Sequence, residues 1–135
     1  GGAILEALTT VRFAHPVYDT IQGVHGVVFT GPAAVAYADL RAVLMFGDGQ
    51  IAASPTEAGS AAIVAVLDAI GLLADEGILA LDSLTGAIWS ARIASRTSLG
   101  NMEAVVPEVQ GSAWRTGDHT FTVLPDDPLN TGFRL

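Results

Sequence analysis

The sequence contains no cysteine and no lysine. Without cysteine, disulfides, thiolate metal ligands and cysteine catalysis are excluded within this chain. Every cation is an arginine: Arg12, Arg41, Arg92, Arg96, Arg115 and Arg134. They are scattered, no basic stretch exists, and nucleic acid is not expected as a partner. Charge of either sign is sparse, at 15% of residues, and the balance is acidic at −8. That balance favours solubility and says little about substrate. Long hydrophobic runs are also missing. The longest, Ala61–Leu67, stops at Asp68, and even extended to Ala74 it is too short to span a bilayer, so no membrane is expected as a partner. The N-terminus lacks a basic segment ahead of an apolar one, so no secretory leader is expected and the location expected is cytoplasmic. Gly1-Gly2 reads as a scar or as the end of a linker.

What is present is apolar. Half of the 135 residues are hydrophobic, enough for a core and for one domain over 1–135. No repeat, low-complexity tract or internal linker divides the chain. β-Branched and aromatic content predicts strands over Ala3–Phe13, His25–Thr30, Ala42–Phe46, Gly77–Leu81, Ala87–Ala94, Glu103–Val106, Ser112–Arg115 and Thr120–Leu124. Turn signals separate them: Gly31-Pro32, Gly47-Asp48-Gly49, Gly100-Asn101, Gly117-Asp118 and Asp126-Asp127-Pro128. A curved, mostly antiparallel sheet of about eight strands follows.

One long helix is predicted over Pro55–Ala74. Ser54 suits the N-cap, Pro55 the first helical position, and Glu57 completes an S-x-x-E capping box. Gly77, after Asp75-Glu76, marks its end. Between Ala61 and Ala74 only Asp68 is charged, whereas a surface helix shows a polar face. The sheet is therefore expected to wrap around this helix and bury it, an α+β architecture.

The helix start, "SPTE", admits two readings. Free N–H groups and the positive dipole end make it a ready carboxylate site, with the Thr56 hydroxyl beside the ligand. Alternatively Ser54 and Glu57 satisfy those N–H groups themselves and the motif is a cap. Glu57 also opposes an anion through charge repulsion. Of the histidines, His15 reads as a strand-end or turn residue, His25 could face a cleft, and His119 sits beside a turn. None is paired at metal-ligand spacing, so no metal site is expected. No nucleophile-elbow motif supports a serine triad. Trp89 and Trp114 read as core or interface residues.

The segments "HPVYDTIQGVHGVVFTGP", "FGDGQIAASPTEAGSAA", "DSLTGAIWSARI", "EAVVPEVQGSAWRTGDHTF" and "DDPLNTGFRL" run in an order and spacing that resemble the proline racemase family. That family embraces proline racemase, 4-hydroxyproline epimerase and trans-3-hydroxy-L-proline dehydratase. The resemblance runs from about His15 to Leu135 and corresponds to the second half of the family's chain. It implies the fold of diaminopimelate epimerase: two similar lobes, each a curved sheet around a central helix, with the site between lobes. It implies no cofactor, a proline-like carboxylate at the helix start, and one cysteine from each lobe acting on opposite faces of the α-carbon.

The second-lobe motif of the family, D-R-S-P-C-G-T-G, aligns with Ala52-Ala53-Ser54-Pro55-Thr56-Glu57-Ala58-Gly59. Thr56 stands where the second catalytic cysteine is expected, which resembles the dehydratase branch. Ala52 replaces the aspartate expected at the substrate amine. Glu57 replaces a glycine whose backbone should approach the carboxylate, and Ala58 replaces a small polar residue. These changes remove ligand groups and improve capping. The expectation is a single lobe, engineered or reconstructed, that performs no chemistry alone, with a natural degenerate paralogue as the alternative origin. The alternatives are a component of a dehydratase or racemase-epimerase completed by a cysteine-bearing lobe, and a module that only binds small carboxylates. A solitary lobe is expected to self-associate or to lack its first lobe, since a face made for a sibling exposes apolar area.

Overall fold

The computed structural model describes residues 1–74 and 76–132. Three of the residues named above, Asp75, Arg134 and Leu135, lie outside this range. Two helices, α1 (Gly2–Leu8) and α2 (Glu57–Ala69), accompany five strands: β1 (Gly26–Pro32), β2 (Leu40–Phe46), β3 (Leu79–Asp82), β4 (Ile88–Leu99) and β5 (Met102–Gln110). The strands form one sheet in the order β1-β2-β3-β4-β5. Pairing is antiparallel except between β2 and β3, which run parallel with Arg41 opposite Asp82. A parallel neighbour cannot be reached by a hairpin, and the chain makes this crossover through α2. The α+β class and the mostly antiparallel sheet expected from the sequence are both present.

The core lies between one face of α2 and the sheet. Ala42, Ile63, Val64, Leu79, Leu81 and Ala91 are buried there, with Val28, Leu40, Leu67, Ile93 and Val105 packed around them. On β2 the buried Ala42 and Leu44 alternate with half-buried Arg41, Val43 and Met45, as the two-residue period of a strand requires. At β4 the register shifts between Ile93 and Ser95, opposite Pro107 of the edge strand β5. Proline has no N–H to donate, and an edge strand at a bulge is where a sheet tolerates it.

Several sequence expectations change. Five strands, not about eight, pair among the described residues. Ala3–Phe13 does not form a strand; Gly2–Leu8 is helical, because Ala, Leu and Glu outweigh the β-branched residues that come later. Ser112–Arg115 and Thr120–Leu124 have no regular structure, since β5 ends the sheet and nothing pairs beyond it. Trp114 is consequently 90% exposed and no part of the core, while Trp89 on β4 is half-buried.

The helix is shorter than Pro55–Ala74 and is not enclosed. Gly71 ends it. With φ +71° it takes the left-handed conformation that a helix terminus needs. Its N–H reaches the Asp68 carbonyl at 2.9 Å and the Leu72 N–H reaches that of Leu67 at 2.8 Å, the paired bonds of a Schellman motif. Gly59, Ser60, Ile63 and Val64 are buried, but Ala58, Ala62, Ala65 and Val66 are exposed. Five strands are too few to close around a helix, so α2 lies on one face of the sheet with its apolar outer side in water. No helix among the described residues is long and apolar enough to cross a membrane.

Candidate functional site at the start of the central helix

After β2 the chain turns sharply. The Phe46 N–H bonds to Gln50 O at 2.9 Å, and the Gln50 N–H bonds to the Asp48 carboxylate at 3.0 Å. Met45 and Ile51 form a bridge, and the Ala52 N–H donates to Leu44 O at 2.9 Å. Residues 52–56 thereby return along β2 to the sheet-facing start of α2. Pro55 is buried, and Ser54 is half-buried.

The N-cap is Thr56, not Ser54. Its Oγ1 accepts the Gly59 N–H at 3.0 Å, and its carbonyl accepts the Ser60 N–H at 3.0 Å. Glu57 is therefore the first helical residue, exposed in the first turn, and the expected capping box does not form. The two readings of "SPTE" converge on one atom: the hydroxyl proposed for a ligand is itself the cap.

Thr56 has φ 62° and ψ 154°, and it is the one non-glycine residue with positive φ among the described residues. A β-branched side chain in this region costs about 1–3 kcal/mol and persists only where the surroundings impose it. Gly59 is part of that imposition. A Cβ there would stand 2.9 Å from Thr56 Oγ1, with Val28 and Leu44 close behind, so no larger residue fits without displacing the cap.

The sequence-predicted positions Ala52, Ser54, Thr56, Glu57, Ala58 and Gly59 are thus gathered at one helix end. Glu57 and Ala58 face water, while Gly59 faces the sheet. Ser60, one turn in, is fully buried and its Oγ has no hydrogen-bond partner. The histidines are elsewhere. His15 is a turn residue whose Nδ1 accepts the amides of Val17 and Tyr18, and His25 and His119 are exposed. Among the described residues no three of His, Asp, Glu and Cys stand together as a metal site would need. A cleft of about 760 Å³ lies at the far end of α2 between Asp68, Gly71, Leu73, Arg96 and Glu103, away from Thr56. An Arg96–Asp68 ion pair at 2.8 Å lines it, with Thr97 and Glu103 beside it.

Sequence reasoning missed what holds this site from below. Thr85, in the turn between β3 and β4, donates its hydroxyl to Ala53 O, and its Oγ1 lies 3.0 Å from Ser83 Oγ. Beside them, buried Asp82 accepts Arg41 through Nε at 3.2 Å and Nη2 at 2.8 Å, and the Ala34 N–H at 2.9 Å. The Arg41 hydrogen bonds outweigh burial and hold the Asp82 carboxyl below its usual range; Arg41 is raised in turn. The sequence signal was the segment "DSLTG", whose polar residues sit on a strand end that is otherwise apolar.

The sequence pattern of the proline racemase family matches residues 1–134. The chain belongs to the proline racemase family. Among relatives, it is 38% identical over its whole length to a trans-3-hydroxy-L-proline dehydratase of Bacillus cereus, covering 41% of that protein. Among solved structures, it resembles a probable proline racemase from Agrobacterium radiobacter with bound carbonate. There the TM-score is 0.81 at 26% identity, over 100% of this chain and 39% of that one. It also resembles a hydroxyproline epimerase from Agrobacterium vitis with bound trans-4-hydroxy-L-proline. That match has a TM-score of 0.77 at 26% identity, over 96% of this chain and 37% of that one. The chain therefore spans about two-fifths of the length of the proline racemase family proteins it matches. These neighbours carry the diaminopimelate-epimerase-like fold expected from the sequence.

Proposed function

We propose that this chain is one lobe of a two-lobe site of the trans-3-hydroxy-L-proline dehydratase type, and that it performs no chemistry alone. The observation that carries the reading is Thr56, a threonine in the cysteine position of the family motif, held with its hydroxyl at the helix start. Dehydration needs a base for the α-proton and a path for the β-hydroxyl to leave as water, and the electrons of the broken C–H bond become the new C=C bond. It needs no second thiol for reprotonation. A threonine hydroxyl without an adjacent base cannot take an α-proton. The base must come from the other lobe, which the family resemblance expects to bear a cysteine. The first-turn amides of α2 that Thr56 does not take, those of Glu57 and Ala58, and the helix dipole would hold the substrate carboxylate. The apolar side chains left in water, among them Leu72, Trp114 and Phe121, are consistent with a face that the first lobe, or a second copy, covers.

The test follows trans-3-hydroxy-L-proline by proton NMR, with the chain alone and with a separately produced cysteine-bearing first lobe of the Bacillus cereus relative. No loss of substrate is expected with the chain alone, and loss is expected when the two lobes associate. Turnover by the chain alone overturns its silence. A tight two-lobe complex without turnover overturns the dehydratase assignment.

A further inference from the structure

We infer that Thr85, braced by Ser83, is the positioning residue that keeps Thr56 in its strained conformation. The proton count fixes the direction of this hydroxyl pair. A carbonyl has no proton, so Thr85 must donate to Ala53 O, and this uses its single hydroxyl proton. In the 3.0 Å contact with Ser83, Thr85 Oγ1 can then only accept. Ser83 donates, Thr85 relays, and Ala53 O receives. Successive bonds in one direction polarise and strengthen one another.

The base of this strut does not move easily. Ser83 is buried, its N–H bonds to Ala87 O at 3.0 Å, and its neighbour Asp82 is locked by Arg41 and the Ala34 amide. Its tip meets the chain three residues before Thr56. Of the two intervening residues, Ser54 is half-buried and Pro55 is buried with a fixed φ, so a hold on Ala53 carries through to Thr56. From the other side Thr56 bonds to the Gly59 and Ser60 amides. Those bonds are available to any helix N-cap, and N-caps ordinarily have negative φ in the β region. They do not account for φ 62° by themselves, and beside the close packing at Gly59 the Ala53 tether adds the constraint from the other side.

The value of this for catalysis rests on the function proposed above, because Thr56 is the residue being aimed. The geometry does not, and the test needs no substrate. In Thr85→Val the shape is kept and the donor is lost; Thr85→Ser keeps the donor. Both are compared with the wild type by NMR without ligand. A residue with positive φ brings its own amide and α protons close together, giving a strong intraresidue nuclear Overhauser effect. Wild type and Thr85→Ser should show it at Thr56. Thr85→Val should lose it, and the Gly59 amide should exchange with solvent at least about tenfold faster, with amides of β4 and β5 unchanged. If Thr85→Val fails to fold, Ser83→Ala, which removes only the brace, should show a smaller change in the same sense. A strong Thr56 effect and unaltered Gly59 protection in a folded Thr85→Val or Ser83→Ala overturns the inference. Absence of turnover in the two-lobe assay leaves these signals unaffected, so the two ideas fail separately.

Discussion

Thr56 concentrates the residue-scale argument. Its φ and ψ suit glycine, yet its hydroxyl caps the helix. Thr56→Ala keeps the strain and loses the cap, and is expected to destabilise by about 1 kcal/mol. Thr56→Gly also loses the cap, but glycine is a fair N-cap and relieves backbone strain of about 1–3 kcal/mol, against a loss of chain entropy of about 0.5–1 kcal/mol. Urea unfolding should therefore rank Thr56→Gly above Thr56→Ala by about 1 kcal/mol. Equal stabilities would mean that no strain is stored there. The position of the helix start that carries the candidate site was legible from the sequence through "SPTEAG", because helix starts have local signatures. Its capping atom was not. Ser54 and Thr56 are both competent caps, and the choice was made by Thr85, about thirty residues away in sequence, through a bond to Ala53 that no local pattern encodes.

At the scale of elements, the junction of β2 and β3 is held by Arg41 and Asp82, directly opposite each other in the parallel ladder. The Asp82 carboxyl titrates below its usual range because it accepts hydrogen bonds from Arg41 and from the Ala34 amide. A carboxyl lowered on folding stabilises the folded state above its unfolded value of about 3.9, and this contribution is lost as pH falls through the lowered value. Asp68, paired with Arg96, and Glu108, paired with Arg92, act in the same sense. Unfolding free energy measured from pH 7 down to pH 2 should thus fall steeply below pH 4, as these carboxylates take up protons. In Asp82→Asn the fall should be shallower and the plateau at pH 7 lower. An unchanged acid slope would remove Asp82 from the account. All five strands were anticipated near their places, because β-branched runs and turn residues report locally. The enclosure of α2 was not, since an apolar helix reads alike whether strands cover one side or all of it.

At the scale of the whole molecule, the fold class was legible because five separated segments agreed with one family. The fate of residues 112–132 was not, because strand-like composition makes a strand only where a neighbour offers its N–H and C=O groups. The parallel junction described above also has a consequence in time. β1–β2 and β4–β5 are formed by neighbouring segments of chain, whereas Arg41 must find Asp82 across 41 residues. Closing so long a loop costs entropy before any contact repays it, so the two flanking ribbons should form early and their joining late. In stopped-flow refolding, Asp82→Asn should therefore speed the unfolding arm and leave the folding arm nearly untouched, while Val105→Ala in the β4–β5 hairpin should slow folding. The reverse pattern would place the junction in the nucleus. In the expected pattern the ion pair that ties the two halves of the sheet is a latch closed last: it contributes little to how fast the chain arrives at its structure and much to how long it stays there.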